Sequence, residues 1–341
     1  MPQKNIGGQA VIEGVMLRDG SNGNVAVANR LENGEINVIK KNAVSMAKKN
    51  KFFSLPLIRG VVSFIESLVV GTKTLMDSAE VVGGDAAEEY EPSKFERFLS
   101  EKLKIKLETV VITISVILGL ALALVLFTFI PTLITGLLRR FTDVNILLSL
   151  CEGIIKVIVF ILYIFIVSKQ KDIKRVFQYH GAEHKTINCY EADMEVTVEN
   201  VRGCSRIHPR CGTSFMFFVM VVSILLFSLI SWDKLAVRIL LKILLMPVVA
   251  GVSYEIIRFS GKTKSKLVHA LVSPGLMLQK ITTAEPDDSQ IEVGIASLKA
   301  LTEQREDIKE EAVSENASDA SCECRNTDVT ENNECENSNI E

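Results

Sequence analysis

The chain has 341 residues, 48% of them hydrophobic, and a mean hydropathy of +0.27. That is high for a soluble protein, and the excess lies in blocks, as in a chain that crosses a bilayer. The net charge of −3 hides an acidic end: residues 303–341 carry −10, which leaves +7 on residues 1–302, and seven scattered cysteines exclude a disulfide-stapled secreted scaffold.

Residues 1–50 read as a small β-rich region. The opening MPQKNIGGQAVIEGV is too polar for a secretory signal. Apolar runs through Ala10, Ile12, Val15 and Leu17, through 25–28, and through Ile36, Val38 and Ile39 are separated by DGSNGN and by Asn33-Gly34, a hairpin turn signal. They predict a sheet of about three strands. Gly7, Gly8, Glu13 and Gly14, with Arg18, suggest a polar loop folded over the histidine-bearing site further along the chain, or ordinary turn glycines with a surface Glu and Arg.

Residues 51–106 predict interfacial helices and a loop. The segment 52–76 is apolar but holds Arg59 and Glu66, and Pro56 and Gly60 weaken a long helix. It reads as a buried or interfacial helix, with a re-entrant or crossing segment as the alternative. A loop at 83–92 and a charged helix from Ser93 follow.

Residues 107–260 predict a four-helix transmembrane region, with spans at Thr109–Leu138, Val144–Ser168, Gly212–Trp232 and 236–257. Pro131 and Gly136 are expected to kink or end the first span. Glu152 and Lys156, at i and i+4, are expected to pair on one face of the second. The segment from Lys169 to Cys211 holds eight Lys and Arg, and more follow the fourth span, whereas the opposite turns hold Arg139, Arg140 and Lys234. That bias predicts a cell-membrane protein with both termini and the 169–211 loop in the cytoplasm. Residues 261–302 read as cytoplasmic amphipathic helices, interrupted at Pro274-Gly275, with Ser289 and Glu292 at capping-box spacing. Residues 303–341 have the composition of a disordered acidic tail. The fold class is therefore a mainly α membrane protein with about four spans and a small N-terminal sheet.

The chemistry concentrates in the 169–211 loop. Three of the four histidines, His180, His184 and His208, lie there. If YHGAEHKT is helical, His180 and His184 project from one face a turn apart, and the string His-x-x-Glu-His is the inverted zinc-peptidase pattern. In such sites the glutamate, here Glu183, acts as general base. A polar helix that only hydrogen-bonds its histidines is the competing reading. The stretch GCSRIHPRCGTSF adds Cys204, His208 and Cys211, and His180, His184, His208 and Cys211 form a tetrahedral N/S ligand set on paper. Glu255, at the end of the fourth span, is a further candidate for third ligand, unless it pairs with Arg258 or Arg59. Four protein ligands would close the site and make it structural; three would leave a catalytic position open.

At these residues the chain resembles the YqhQ-like family of uncharacterised bacterial multi-pass membrane proteins. The resemblance rests on GGQAVIEGVMLR, YHGAEHKTINCYE, IHPRCGTSF, VVAGVSYEIIR and EPDDSQIEV, spread over residues 7 to 300. It implies a multi-pass membrane protein with a metal site at His180, Glu183, His184, His208, Cys211 and Glu255, and it implies no substrate. The reading is a metal-dependent hydrolase in the membrane with zinc as the expected divalent ion, acting on a membrane protein, a peptide or a lipid. The alternatives are a non-enzymatic scaffold with a structural metal and, less favoured, a transporter using Glu152, Lys156, Lys242 and Glu255. Nucleic acid is not an expected partner, because membrane orientation accounts for the basic residues, and the sequence leaves the oligomeric state open.

Overall fold

The computed structural model describes residues 6–42, 51–83, 107–142, 144–209, 211–228, 235–260 and 266–304. The loop predicted after Gly83, the charged helix from Ser93 and the tail from Arg305 lie outside the described residues.

The N-terminal region is an antiparallel meander of four strands: β1 (Ile6–Val11), β2 (Gly14–Asp19), β3 (Asn24–Arg30) and β4 (Ile36–Asn42), in that order across the sheet. The run from Ala10 to Leu17, read as one strand, is therefore two. The chain reverses at Ile12-Glu13, where Glu13 adopts φ 49°. A glutamate in this left-handed region is held by tertiary contacts. Its carbonyl accepts the Arg30 N–H at 2.8 Å, and its carboxylate accepts bonds from Arg175 and from the Tyr179 hydroxyl. The expected polar loop is thus ordinary sheet, with Gly7 and Gly8 inside β1.

Both faces of the sheet are covered, which explains why β3 is buried nearly throughout. On one face Ala10, Val15, Leu17, Ala26 and Ala28 meet Tyr179 and Ile187 of one helix and Val293, Leu298 and Leu301 of another. On the other, Val11, Met16, Val25 and Val27 form their own cluster beneath α1 (Ile58–Gly83). Three ion pairs fasten α1: Glu66 to Arg18 of β2, Asp77 to Lys41 of β4, and Arg59 to Glu255. The helix begins just beyond Pro56, so the proline does not interrupt it. At Gly60 the backbone lies against Gly251, where an added Cβ would stand 2.9 Å from the Gly251 Cα.

Among the described residues, three stretches are long and apolar enough to cross a membrane. The first, Thr113–Leu138, joins α2 (Leu107–Leu124), a π-helical turn (Val125–Phe129) and α3 (Ile130–Leu138). The wide turn lies directly ahead of Pro131, whose ring clashes with the carbonyl four residues earlier, so the helix absorbs the proline and runs on. The second stretch lies in α4 (Asn145–Val167). The apolar helix α7 (Gly212–Ser228) has 17 described residues, and the rest of that predicted span lies outside the described residues. The third stretch, Leu240–Phe259, lies in α8 (Leu235–Ser260). Between them α5 (Lys171–Glu191) and α6 (Val198–Gly203) replace most of the expected 169–211 loop. The helix α9 (Lys266–Thr282) continues through Pro274, where a break was expected, and packs on α7 with Gly275 against Ser214.

The final helix, α10, covers residues 288–304. Its cap is Asp287 with Gln290 rather than Ser289 with Glu292: the Asp287 carboxylate accepts the Gln290 N–H at 2.9 Å, and the Gln290 side chain accepts the Asp287 N–H at 3.0 Å. Glu292 is engaged instead by Arg30 from the sheet.

The expected Glu152–Lys156 pair is also rearranged. Glu152 of α4 pairs with Lys242 of α8, both about 5% exposed, and both bond the Thr132 hydroxyl of α3. Packing brings Lys242 from another helix into the same plane as Glu152, while Lys156 stands 5.8 Å from the Phe227 ring centre. Removing one partner strands a buried charge, and such losses cost about 3–5 kcal/mol. Lys242→Met is therefore expected to lower the thermal midpoint of detergent-purified protein sharply, and the double variant Glu152→Met/Lys242→Met to recover most of that loss.

Candidate metal centre

The pattern His-x-x-Glu-His lies within α5, a helix of 21 residues. Helical spacing puts His180 and His184 on one face, and their rings meet at 4.4 Å between centres. Each ring is oriented by a backbone carbonyl. His180 Nδ1 donates to Thr282 O at 2.9 Å, and His184 Nδ1 donates to Arg206 O at 2.6 Å. A carbonyl can only accept, so each Nδ1 carries a proton, and in the neutral ring that leaves Nε2 with its lone pair. This is how metal-ligating imidazoles are usually held.

The two Nε2 atoms and Cys211 Sγ converge, with all three donor atoms within 4.8 Å of one another. Cys211 sits just before α7, with Sγ 3.2 Å from His180 Nε2 and 3.2 Å from the Thr213 hydroxyl. Donors of one tetrahedral zinc, bonded at about 2.0–2.3 Å, stand roughly 3.3–3.6 Å apart, so small side-chain movements bring this set into range. His184 Nε2 is buried with no hydrogen-bond partner of its own. An orphaned acceptor lone pair at the focus of a thiol and a second imidazole is what a cation would satisfy, and two imidazoles with one thiol suit a borderline ion such as zinc.

Glu183 lies beside this focus. Its Oε2 is 3.8 Å from His180 Nε2 and 3.9 Å from His184 Nε2. Burial pushes its carboxyl above the usual carboxylate range, opposed by His180 and His208. Burial likewise pushes His184 below the usual imidazole range, opposed first by Cys211. His208 is 3% exposed, its ring centre 5.8 Å from that of His184. Its Nε2 faces Glu191 at 3.4 Å, and burial lowers its pKa too. His208 therefore stands next to the three-donor cluster, turned towards Glu191.

Glu255 is not in the cluster. Both of its carboxylate oxygens are taken by the Arg59 guanidinium, with Nε at 2.6 Å from Oε1. The close approach of α1 and α8 at Gly60 and Gly251 brings that arginine to it. Cys204 also points elsewhere: it packs with Cys189, Val201 and Ile291, and its thiol donates to Asn200 O at 3.3 Å.

Gly8 was singled out in the sequence; Gln279, Thr282 and Arg206 were not. Gln279, fully buried, accepts the His208 N–H at 2.9 Å and donates to His208 O at 2.7 Å and to Ser214 Oγ at 3.0 Å. It fixes the turn that carries His208 into Cys211. Thr282 and Arg206 act through carbonyls that any residue would supply. Gly8 of β1 forms the wall behind Glu183, where an added Cβ would stand 2.6 Å from Oε1.

The family model described as a protein of unknown function (DUF1385) matches residues 55–304. The chain is 38% identical over 309 residues to the "Uncharacterized protein YqhQ" of Bacillus subtilis (strain 168), which covers 88% of this chain and 95% of that protein. No solved structure matches it.

The wall at Gly8 gives a direct check. Gly8→Ala is expected to destabilise the protein by about 1–3 kcal/mol, the usual cost of overpacking, read as a fall in thermal midpoint. Gly7→Ala, with open space at its Cβ position, is expected to leave the midpoint nearly unchanged.

Proposed function

The chain belongs to the DUF1385 family, and we propose that it is a membrane-embedded, metal-dependent hydrolase whose site faces the cytoplasm. One observation carries the reading: the unpartnered His184 Nε2 converges with His180 Nε2 and Cys211 Sγ beside the buried Glu183 carboxylate. His180, His184 and Cys211 would hold the ion, and zinc fits the two-nitrogen, one-sulfur donor set. A bound ion would supply Lewis acidity, polarising a substrate carbonyl or activating water.

The chain's own groups do the rest. The carbonyls of Thr282 and Arg206 keep both imidazoles in the tautomer that presents Nε2. The Glu183 Oε2, close to both nitrogens, is placed to accept a proton from an attacking water and return it to a leaving group. A carboxyl whose pKa is raised by burial is suited to both halves of that exchange. That α5 follows the apolar helix α4 and that Cys211 precedes the apolar helix α7 supports a site near the membrane, and with it a membrane protein, a peptide or a lipid as substrate class. The cytoplasmic orientation is supported by the eight Lys and Arg between Lys169 and Cys211.

A second reading has its own observation. His208 is buried close to His184, and its rotation towards the cluster would complete four protein ligands and a structural site. Two measurements separate the readings. Elemental analysis of purified protein is expected to find bound zinc in the wild type, little in His184→Ala or Cys211→Ser, and wild-type content in Glu183→Gln. Equal zinc in wild type and His184→Ala would sink the metal assignment. A loss in His208→Ala as large as in His184→Ala would favour the structural reading.

Catalysis is tested by Glu183→Gln. Loss of a general base costs about 10²–10⁴-fold in turnover. Comparative proteomics and lipidomics of membranes carrying wild type or Glu183→Gln should then show an uncleaved species accumulating with the variant. Identical profiles would count against hydrolysis.

A further inference from the structure

The helix α1 is inside out by the standards of a soluble protein. Its inward face is small and polar: Gly60, Glu66, Gly71, Thr74 and Ser78 are buried. Its outward face, with the turn before it, is apolar and exposed. Leu55 is 48% exposed, Ile65 48%, Leu68 53% and Val69 62%. From Leu55 to Val70 the only charged residues are Arg59 and Glu66, and both are ion-paired inward, to Glu255 and to Arg18. Beyond that point the exposed face becomes mixed: Lys73 and Glu80 face outward together with Leu75 and Met76.

Two rulers place this segment. Glu66 is tied to the sheet through Arg18, and Leu57 lies nine residues earlier, about 13 Å down the helix axis. The Leu57 backbone packs on Gly251 of α8, eight residues before Phe259, the end of a stretch long enough to cross a membrane, which is about 12 Å along that axis. The first distance separates Leu57 from the sheet, and the second sets it beside a residue well inside a stretch long enough to cross a membrane. Between them, the Phe64 ring meets Phe215 in the first turn of α7 at 5.4 Å. The lowest point is a tight turn, with Leu57 at φ 68°.

We propose that residues 52–70 dip into the membrane: the turn at Leu55–Leu57 lies within it, and α1 rises from that turn to the level of the sheet. Its apolar face contacts the acyl chains of the leaflet nearest the sheet, about 15 Å thick. The occupant of that face is lipid, because the turn below it packs on Gly251 inside the α8 stretch, and because Arg59 and Glu66, the charged residues from Phe52 to Val70, are both paired inward. The inference rests on the membrane reading of the apolar helices, and does not depend on the metal.

Single-tryptophan quenching in the full chain tests it. In a Trp232→Phe background, tryptophan is placed at Leu55, at Val69 or, as a control, at Ile158 on the exposed face of α4, and the protein is reconstituted in vesicles of brominated phosphatidylcholine. Leu55→Trp is expected to lose most emission to bromines low on the acyl chain, and Val69→Trp to bromines near the headgroup, with Ile158→Trp also quenched. Quenching of Ile158→Trp without Leu55→Trp would overturn the proposal and point to a second copy or a soluble partner on this face. Stronger deep quenching at Val69 than at Leu55 would overturn it in favour of a full crossing. An unquenched Ile158→Trp would remove the membrane reading and the proposal together. Phe52→Trp provides a second tip position should Leu55→Trp fail to elute as wild type on gel filtration.

Discussion

Placing a carboxylate out of water is costly unless its surroundings are built for it, and much of the soluble part of this chain is arranged around Glu183. It is 3% exposed, on the face of α5 that carries His180 and His184. The sheet presses against it through Gly8, the residue type that leaves room for the carboxyl group. The turn holding His208 and Cys211 is clamped by Gln279, and α9 supplies the carbonyl that orients His180. Segments from residue 8 to residue 282 thus converge on one acid. Such a group is not a stabilising choice, since an apolar residue there would cost less, and a buried carboxyl with a perturbed environment is consistent with a chemical task.

The membrane region follows the same logic with the sign of the solvent changed. Where lipid is the expected surroundings, charges turn inward and are matched: Glu152 with Lys242 and Thr132, Glu255 with Arg59, Glu66 with Arg18. In each case the partner comes from a different element. Pairing across elements ties helices together as well as neutralising them, which an i, i+4 pair on one helix cannot do.

That difference explains what was legible in the sequence. Period and composition located the apolar stretches, the sheet and the helical His-x-x-Glu-His face, because these depend on neighbours within a few residues. Cys211 was readable through its soft donor chemistry. Choices made by tertiary contact were not. Lys242 pairs with Glu152 from another helix, and Arg59 occupies Glu255, since spacing along the chain does not show which helix comes alongside. The reversal at Ile12-Glu13 carries no Asn-Gly signal, because Arg30, Arg175 and Tyr179 hold it from outside. The carbonyls that set the histidine tautomers belong to the backbone, which sequence does not distinguish.

The closing strap of the soluble part has a consequence for how the protein is made. The core beneath β1 to β3 is completed by Val293, Leu298 and Leu301 of α10, and the Ser297 hydroxyl bonds Ala26 O at 3.0 Å. These strands therefore wait for nearly the last described helix, with the three long apolar stretches among the described residues lying between them in the chain. Contacts of such long sequence separation form late. The wall of Gly8 against Glu183 is consequently completed only after the apolar stretches have been made, so the acid and its histidines are the last part of the fold to be closed in.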